Sequence, residues 1–512
     1  MVMKNISIFF LMLLCSCTSV ATYTNPVIPG DMPDPSLIRF EGRYYAAGTS
    51  SEWAPYYPVY SSDDLVNWNH EGYVFDEKPS WTVSSFWAPE LYCMNDRVYC
   101  YYTARRASDG VSYIGVASSD RPDGDYQDHG LIVEHGSEAI DAFVFDDDGQ
   151  LYISWKAYGL DSRPIEIVAA RLSQDGLSLE SEPFSLLVDE EGIGMEGQCH
   201  LKIGDYYYII YAARGCCGPG SDYEVRVARS ENYLGPYEYC PSNPILKGGD
   251  GDFFSCGHGT VVYGDDGRMF YMCHAYKKGA EFYMGRQPVL HELVLDDEGW
   301  LSFASGRIAA SEHKVPFKGV KQKVMAEFHD EFDASELSPE WTWNYPYADV
   351  SAICNGGKLY LSGKSFNGNR YGVAYCVKAR IPQYSVETLL LDSGGNVSGL
   401  TFYGDMENLM IWGLADGKLR LVEVVGGNEN VIFQSENPGC QLYLKADVHD
   451  GCKAVFLYST DGENWKNALQ SSIDMSELVR WDRVFRPGLV TTAANGDAAV
   501  FGYFSIQPTS TI

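Results

Sequence analysis

The chain has 512 residues, of which 45% are hydrophobic and 14% aromatic, including 37 tyrosines and 11 tryptophans. This length allows two or three globular domains, and the aromatic content is typical of pleated strands and of sugar-binding surfaces. Acidic residues outnumber basic residues by 69 to 38, for a formal charge of -31, which excludes nucleic acid and anionic membrane surfaces as partners and favours a neutral substrate.

The N-terminal segment has the pattern of an export signal. A lysine is followed by an apolar run from Ile6 to Leu14, which is too short to span a membrane. Leu14-Cys15-Ser16-Cys17 is similar to a bacterial lipobox and predicts lipidation at Cys17, with Cys15 as the alternative. A plain secretory signal cleaved near Ala21 is the other interpretation. We therefore expect residues 1–24 to be the signal and tether of an exported bacterial lipoprotein, in the periplasm or at the cell surface, with no membrane contact except through the lipid.

Five segments between residues 34 and 275 repeat one pattern. A polar residue opens an apolar-aromatic strand, a turn of Gly, Asp or Asn follows, and a second aromatic strand pairs with the first. The opening residues are Asp34, Glu90, Asp141, Glu196 and His258. Short strands with a period of about 40 to 60 residues predict the blades of a β-propeller. Residues 25–320 are therefore predicted to form a five-bladed propeller, with the opening residues at one end of its central channel.

A second domain begins after a polar connection near residue 320. From AEFHDEFDASELSPEWTWNYP to Ile512 the sequence again alternates short strands and turns. Neither part contains a helical pattern longer than about two turns. The fold class is predicted to be all-β, with a β-sandwich over residues 325–512.

Three of the opening residues are candidate catalytic carboxylates. Glycoside hydrolysis needs one protonated and one ionised carboxyl group, and a third acid nearby can raise the pKa of the proton donor. Asp34 lies between two prolines, which hold it out of regular pairing, and Glu196 lies between glycines, which give close backbone access. Asp141 precedes an apolar strand. Taken singly, Asp34 and Asp141 are equally well explained as turn and cap residues.

The other two opening residues carry weaker signals. His258 lies between glycines and is either a satisfied polar group or the holder of a hydrated calcium ion. Glu90 is predicted to be structural, and Trp87 beside it is the better substrate contact. The chemistry itself requires no cofactor. No cysteine pair outside the signal has CxxC spacing, so a zinc site is not expected.

Several motifs together resemble glycoside hydrolase family 43. They are Asn25-Pro26-Val27, Asp34-Pro35-Ser36, Trp87-Ala88-Pro89-Glu90, Ile140-Asp141, Glu196-Gly197 and Gly257-His258-Gly259. The resemblance covers residues 25 to about 320 and implies a five-bladed propeller that inverts the anomeric centre. It implies Asp34 as general base, Glu196 as general acid and Asp141 as the residue that tunes and orients the acid. The substrate-binding residues that we expect are Trp87, Ile140, Cys216, Cys217 and Arg286.

The sequence departs from the family pattern at two positions. Gln198 follows the Glu-Gly pair where proline is common. Pro33 precedes the predicted base, so the wall of the first sugar pocket must come from elsewhere. The C-terminal part is similar, from Glu331 to Trp341, to the concanavalin-like sandwich that follows the propeller in some xylosidases and arabinofuranosidases of the family.

The expected function is that of an exo-acting, inverting α-L-arabinofuranosidase or β-D-xylosidase on plant cell-wall polysaccharides or oligosaccharides. The segment from Gly215 to Gly218 resembles one in arabinan-active members and favours arabinose. An endo-arabinanase would need an open cleft, and the appended sandwich argues against it. A non-catalytic sugar-binding propeller would tolerate the loss of a carboxylate, but all three are present. A phosphorolytic propeller would need basic residues at the mouth of the channel. A fructan-active propeller would need a nucleophile in a sequence similar to Asn-Asp-Pro.

Overall fold

The computed structural model describes residues 21–159, 164–249, 251–494 and 496–509, with only the backbone described for 280–282. The predicted lipidation sites Cys15 and Cys17 lie outside these ranges. In the described part of the chain, no helix is long and apolar enough to cross a membrane. Apart from two 3-10 segments, at Gly279–Met284 and Ser476–Leu478, the regular structure there consists of strands. The prediction of an all-β fold is confirmed.

The first part of the chain forms five antiparallel sheets, blades I to V, each built from consecutive strands. From the channel outward, blade I contains Ser36–Phe40, Arg43–Ala47, Tyr56–Ser62 and Asn69–Phe75, and blade II contains Thr82–Met94, Arg97–Arg106, Ser112–Ser119 and Gln127–Val133. Blade III contains Glu138–Asp147, Gln150–Tyr158, Glu166–Arg171 and Phe184–Val188. Blade IV contains Glu196–Ile203, Tyr206–Ala213, Glu224–Ser230, Glu238–Tyr239 and Leu246–Lys247. Blade V contains Phe253–Tyr263, Met269–Lys277, Gln287–Leu295 and Leu301–Phe303.

Tight turns set the register of the inner hairpins. The two residues that join the inner strands have positive φ at Glu41-Gly42, Asn95-Asp96 and Asp148-Gly149. Two positive φ values in a two-residue loop are the signature of the type I′ turn, whose twist matches that of paired strands. Because each hairpin folds back at the same end of the propeller, the inner strands all begin at the opposite end.

Each inner strand, or the residues just before it, contains a backbone irregularity. A residue with positive φ occurs there in every blade, namely Asp34, Ala88, Asp141, Gly197 and His258. In blades II to V the pairing register shifts at the same point. Such bulges and left-handed residues re-aim side chains, and they turn these positions toward the channel axis.

The opening residues were expected to lie together at one end of the channel, but Glu90 does not lie with the other four. The position equivalent to Asp34 in blade II is Ala88, so Glu90 lies two residues further along the channel. Its buried carboxylate accepts a hydrogen bond of 2.7 Å from Ser36 Oγ, and Ser36 is likewise two residues beyond Asp34. Burial raises the pKa of Glu90 to about 8. Glu90 therefore lies one layer below the pocket.

The propeller is closed by its two ends and by cores between neighbouring blades. Thr22–Thr24 pairs with Glu312–Lys314, which joins the start of this part of the chain to its end. Apolar residues of adjacent blades pack against each other, as Tyr101 of blade II and Trp155 of blade III do in one cluster. These contacts hold the inner strands in fixed positions around the channel.

The second part of the chain is a sandwich of two antiparallel sheets. One sheet contains Phe328–Asp330, Ser351–Cys354, Leu359–Ser362, Tyr384–Asp392, Leu442–His449, Lys453–Ser459, Lys466–Asn467, Ile473–Asp474 and Ala499–Pro508. The other contains Thr342–Trp343, Val373–Cys376, Val397–Asp405, Asn408–Ala415, Lys418–Val425, Asn428–Glu436 and Arg486–Thr491. Alternate residues of both sheets form one shared core, in which Trp412 and Phe504 are buried.

The sandwich packs tightly against blade I. Ala54 and Trp343 exchange two backbone hydrogen bonds, of 3.1 and 2.9 Å. Next to them Trp53 is buried against Tyr403, at 5.7 Å between ring centroids, and lies under the guanidinium of Arg486 at 4.5 Å. Because backbone and side-chain contacts combine, the sandwich has a defined position relative to the channel mouth.

A buried ion cluster at this interface predicts acid sensitivity. Glu340 Oε1 lies 2.5 Å from Arg380 Nη2 and 3.4 Å from His70 Nδ1 of the propeller. Burial raises the pKa of Glu340, but His70 and Arg380 lower it more, to well below its usual range. The cluster therefore stabilises the fold above pH 4.5, the ordinary pKa of the group, and this contribution is lost as the pH falls further.

We expect Glu340→Gln to reduce the free energy of unfolding at pH 7 by about 3 kcal/mol, since it leaves buried cations without their counter-charge. Urea unfolding at pH 7 and at pH 3 measures this, and the difference from the unmodified protein should shrink at the lower pH. Asp450→Asn removes an exposed pair with Lys453 and should change stability by less than about 1 kcal/mol. Equal effects of the two substitutions would contradict the assignment.

Candidate active site

Four of the five opening residues meet at one end of the channel. His258 Nδ1 lies 3.5 Å from Asp34 Oδ1 and 3.8 Å from Asp141 Oδ2. The backbone N–H of Gly197, next to Glu196, donates to Asp141 Oδ2 at 3.1 Å. Gly197 has a φ of +59°, and a Cβ there would lie 2.6 Å from His258 Cγ, so only glycine allows this close approach.

Asp34 is surrounded by groups that favour its ionised form. Thr49 Oγ1 donates to Asp34 Oδ2 at 2.6 Å, and Arg286 Nη1 lies 3.5 Å from Oδ1. The backbone N–H of Asp34 donates to His274 Nδ1 at 3.1 Å. Burial raises the pKa of Asp34, but Arg286, His258 and His274 lower it more, so that it lies well below its usual range. Asp34 is therefore ionised throughout the neutral and mildly acidic range, as a base must be.

Arg286 is enclosed by the residues that orient it. Its backbone N–H donates to Asp31 Oδ1 at 3.0 Å, and Nη2 donates to the carbonyl of Asp482 in the sandwich at 2.9 Å. The side chain is buried. The sequence predicts Arg286 as a substrate contact, and the contacts found on its guanidinium are to Asp34 and to the second domain.

Glu196 accepts hydrogen bonds on both carboxylate oxygens. Tyr223 Oη donates to Oε1 at 2.7 Å, and Lys156 Nζ donates to Oε2. Burial raises the pKa of Glu196, but the charge and the hydrogen bond of Lys156 lower it more. Burial also raises the pKa of Asp141, to about 6, with His258 opposing and Glu196 adding to the increase. The two acids therefore differ in their affinity for a proton.

Gln198, which occupies the position where the family often has proline, anchors Asp141. Its Nε2 donates to the carbonyl of Asp141 at 2.5 Å and to Ser154 Oγ at 3.2 Å. A further hydrogen bond of 3.1 Å joins the backbone N–H of Asp141 to Thr103 Oγ1 of blade II. Asp141 is thus fixed by both neighbouring blades in its left-handed conformation.

Aromatic and sulfur-containing groups lie in the loops and strands next to these residues. Trp87 meets Trp481 of the sandwich edge to face, at 6.1 Å between ring centroids, and Arg105 lies over Trp87 at 5.6 Å. Cys216 and Cys217 form a disulfide in the blade IV loop. The carbonyl of Cys216 accepts a hydrogen bond of 3.2 Å from Ser255 Oγ of blade V.

The remaining predicted contact, Ile140, is buried next to Asp141 in the inner strand of blade III. The geometry therefore brings the three predicted catalytic carboxylates and His258 together. Arg286 and Ile140 are buried. The roles of Trp87, Ile140, Cys216, Cys217 and Arg286 as substrate contacts stay predictions.

Calcium fits the described residues poorly as a directly held ion. Among the residues that the structure describes, no group of three or more His, Cys, Asp or Glu side chains is arranged to hold a metal ion. Calcium takes six to eight oxygen ligands, and here water would have to supply most of them. The calcium at His258 therefore stays a prediction, and no step of the reaction below depends on it.

Sequence analysis missed several residues of this site, among them Lys156, Tyr223, His274 and Trp481. Lys156 left a usable signal, because a lysine inside the apolar strand Gln150–Tyr158 needs a buried partner. Tyr223 and His274 are two of many aromatic and histidine residues in strand patterns, and nothing nearby in the sequence distinguishes them. Trp481 comes from the other domain and has no local signal.

One ionised carboxylate, beside two carboxyl groups that differ in their affinity for a proton, is suited to acid–base catalysis. The environments of Asp34 and Asp141 separate their proton affinities, and such a separation assigns one group as base and keeps a proton available nearby. Comparison with known proteins identifies the family to which the chain belongs.

The chain matches the model of glycosyl hydrolases family 43 over residues 23–301, more than half of its length, and that of the beta xylosidase C-terminal concanavalin A-like domain over residues 329–504. It is 27% identical to a non-reducing end alpha-L-arabinofuranosidase of Bacteroides ovatus, over 68% of the chain and 66% of that protein. It is 26% identical to xylosidase/arabinosidase 43B of Humicola insolens, over 94% of the chain and 97% of that protein.

A solved structure agrees over both domains. The crystal structure of the family 43 protein BlXynB from Bacillus licheniformis matches with a TM-score of 0.81 and 25% identity, covering 96% of the chain and 100% of that structure. The chain thus spans just under two thirds of the first relative and nearly all of the other two proteins. The predicted family and architecture are confirmed: this chain belongs to glycoside hydrolase family 43.

Proposed function

We propose that the chain is an exo-acting, inverting glycosidase that removes terminal α-L-arabinofuranosyl or β-D-xylosyl units from plant cell-wall polysaccharides or oligosaccharides. The observation that carries the proposal is the cluster in which His258 lies between ionised Asp34 and Asp141, while Asp141 accepts a hydrogen bond from the backbone of Gly197, next to Glu196. The relatives from Bacteroides ovatus and Humicola insolens, whose names state these two activities, support the choice of sugars.

In the proposed reaction Asp34 accepts a proton from a water molecule, which attacks the anomeric carbon. Glu196 gives its proton to the leaving glycosidic oxygen as the bond to the anomeric carbon breaks. Asp141, held by Gln198 and Gly197, orients Glu196 and raises its proton affinity through like charge. The product sugar then has the opposite anomeric configuration to the substrate.

Contacts at the pocket mouth support exo action. The sandwich segment from Trp481 to Arg483 touches blade II through Trp87 and blade V through Arg286. It also touches blade IV, because a Cβ on Gly218 would lie only 3.0 Å from the carbonyl oxygen of Trp481. A polymer running across the propeller face would meet this segment, whereas a chain end can enter beside it.

A panel of aryl glycosides and oligosaccharides, with product configuration followed by proton NMR, tests the proposal. We expect release of single arabinose or xylose units with inverted configuration, and arabinose in preference because of the Cys216-Cys217 segment. Products longer than one sugar from a linear arabinan would identify an endo-arabinanase instead. Binding without turnover on every substrate would identify a sugar-binding propeller.

Substitution of Trp481 tests the part of the sandwich in the site. We expect Trp481→Ala to raise KM for the preferred oligosaccharide about 2- to 12-fold, with a smaller change in kcat, because one aromatic contact is worth about 0.5–1.5 kcal/mol. Steady-state kinetics measure both constants. Trp465→Ala removes a sandwich tryptophan that lies under Lys445, and it should leave both constants unchanged. An unchanged KM in the Trp481 variant would show that the sandwich does not contact substrate.

Two further parts of the proposal concern the whole protein. Lipidation at Cys17 would anchor the enzyme, in the periplasm or at the cell surface, where it meets plant oligosaccharides. A calcium ion held by water near His258 would add positive charge beneath the carboxylates. Neither is required by the acid–base steps described above.

A further inference from the structure

We infer that Lys156 determines when Glu196 carries its proton and thereby sets the upper pH limit of the reaction. Lys156 does not need to touch the substrate for this, so it is a positioning residue rather than a catalytic one. The inference rests on the proposed role of Glu196 as general acid.

Lys156 is built into the site rather than attached to its surface. It lies on the second strand of blade III, where only 4% of the residue is exposed. Its Nζ contacts Glu196 Oε2 and lies 4.4 Å from the ring centroid of Tyr158. Burying an unpaired ammonium group is strongly unfavourable, so the ion pair with Glu196 is what keeps Lys156 in this place.

The ion pair conflicts with the task of a general acid. With Tyr223 Oη donating to Oε1 and Lys156 Nζ donating to Oε2, both oxygens of Glu196 act as acceptors. An ammonium group has no lone pair and cannot accept a hydrogen bond from a protonated carboxyl group. For Glu196 to carry a proton toward a leaving group, its O–H must point away from Lys156 and Tyr223, and the charge-assisted contact with Lys156 is weakened because the carboxyl group is then neutral.

Some of the groups around Glu196 raise its affinity for a proton, and others lower it. From blade III, Asp141 raises the affinity of the site for a proton and Lys156 lowers it, and Tyr158 lies next to Lys156. From blade V, His258 acts on the same side as Lys156. Asp34 of blade I lies beyond His258, at 3.5 Å from its Nδ1.

Of the groups that lower the proton affinity of Glu196, Lys156 is the one that contacts its carboxylate with a permanent charge. Burial and the negative charge of Asp141 both favour the protonated form of Glu196. Without the charge of Lys156, only His258 and Tyr223 oppose them. The basic limb of the pH profile should then move upward. A lysine that only fills space beside Glu196 would not move it.

The experiment compares pH profiles of kcat/KM for the purified protein and for Lys156→Met, Lys156→Gln and Lys156→Arg. With an oligosaccharide substrate, the first two should shift the basic limb upward by about one pH unit or more. Lys156→Arg keeps the charge and should retain the original limb. With an aryl glycoside whose leaving group needs no proton, the three variants should have similar rates at high pH.

Lys202 offers a matched control. It also pairs with carboxylates, Asp147 and Asp148, and lies over a tyrosine ring, that of Tyr207, at 4.9 Å, but on the exposed surface. Lys202→Met should leave the profile unchanged. Melting curves of all variants show which of them fold, and Lys156→Gln serves if the methionine variant does not.

The outcomes separate the inference from the function on which it rests. If Glu196→Gln behaves as a lost general acid while Lys156→Met and Lys156→Gln keep the original basic limb, the inference is wrong and the proposed function stands. If Glu196→Gln is fully active on oligosaccharides, the acid assignment itself is wrong. An upward shift in both neutral variants, and none in Lys156→Arg or Lys202→Met, supports the inference.

Discussion

Asp34→Asn is expected to lower kcat/KM by about 10² to 10⁴-fold on every glycoside, whatever its leaving group, because the proposed base acts on water and not on the aglycone. The amide has nearly the same shape, and with its oxygen toward Arg286 its Nδ2 group can donate to Thr49 Oγ1, which donates to the carboxylate in the unmodified protein. Sugar binding, measured by titration calorimetry, should therefore change little. Steady-state rates on one aryl glycoside and one oligosaccharide measure the loss.

Asp265→Asn is the control for this substitution. Asp265 is an exposed aspartate of blade V that pairs with Arg39, and its replacement should not alter the rate. Azide provides the contradicting outcome. If azide restores activity in Asp34→Asn and the glycosyl azide keeps the substrate configuration, a covalent glycosyl-enzyme intermediate forms on another residue, so Asp34 is not the base of a single displacement and the reaction is not inverting.

Glu196→Gln is expected to lower the rate by about 10² to 10⁴-fold on oligosaccharides and much less on aryl glycosides with acidic leaving groups. The reason is that only a poor leaving group needs a proton from the enzyme. A plot of log kcat against the pKa of the leaving phenol should be steep for the variant and shallow for the unmodified enzyme.

Glu238→Gln, at an exposed glutamate that pairs with Arg229, should show the shallow dependence of the unmodified enzyme. A loss in Glu196→Gln that is equal for all leaving groups would move the acid role to another residue. Asp141 would be the next candidate, because its pKa is raised to about 6, primarily by burial.

The ionisation of the two groups also predicts an acidic working range. Asp34 loses its charge only well below its usual range, so the acidic limb of the pH profile should be set low or by unfolding. Because Lys156 lowers the pKa of Glu196, the proton donor is deprotonated before neutral pH. Activity should therefore be highest in acid and fall toward pH 7.

The repeat in the sequence was sufficient to predict the propeller and the juxtaposition of most of the residues in the candidate site. Each copy encodes a local hairpin, whose turn residues set the register without help from distant contacts. In a propeller all inner hairpins point the same way, so Asp34, Asp141 and Glu196 are brought to one end by the repeat alone. The family motifs then assigned a role to each residue.

The bulges in the inner strands could not be predicted from the sequence. In spacing along the sequence, Glu90 is equivalent to the other opening residues. The bulge at Trp87-Ala88 shifts the pairing register, however, so Glu90 lies one layer deeper in the channel, against Ser36. A shift of two residues in a strand preserves the inward face and changes only the depth. The alternation of hydrophobic residues is therefore the same with and without the shift, and it does not reveal the depth of Glu90.

The sequence by itself determined the fold class, the order of the two domains and which carboxylates lie together at one end of the channel, because these depend on local hairpins and short motifs. The tertiary structure decided which groups control those carboxylates. Lys156 reaches Glu196 from the neighbouring blade, and the segment from Trp481 to Arg483 reaches the pocket from the other domain. Such contacts join residues far apart in the chain, and they arise from how blades and sheets pack rather than from any pattern that one segment carries.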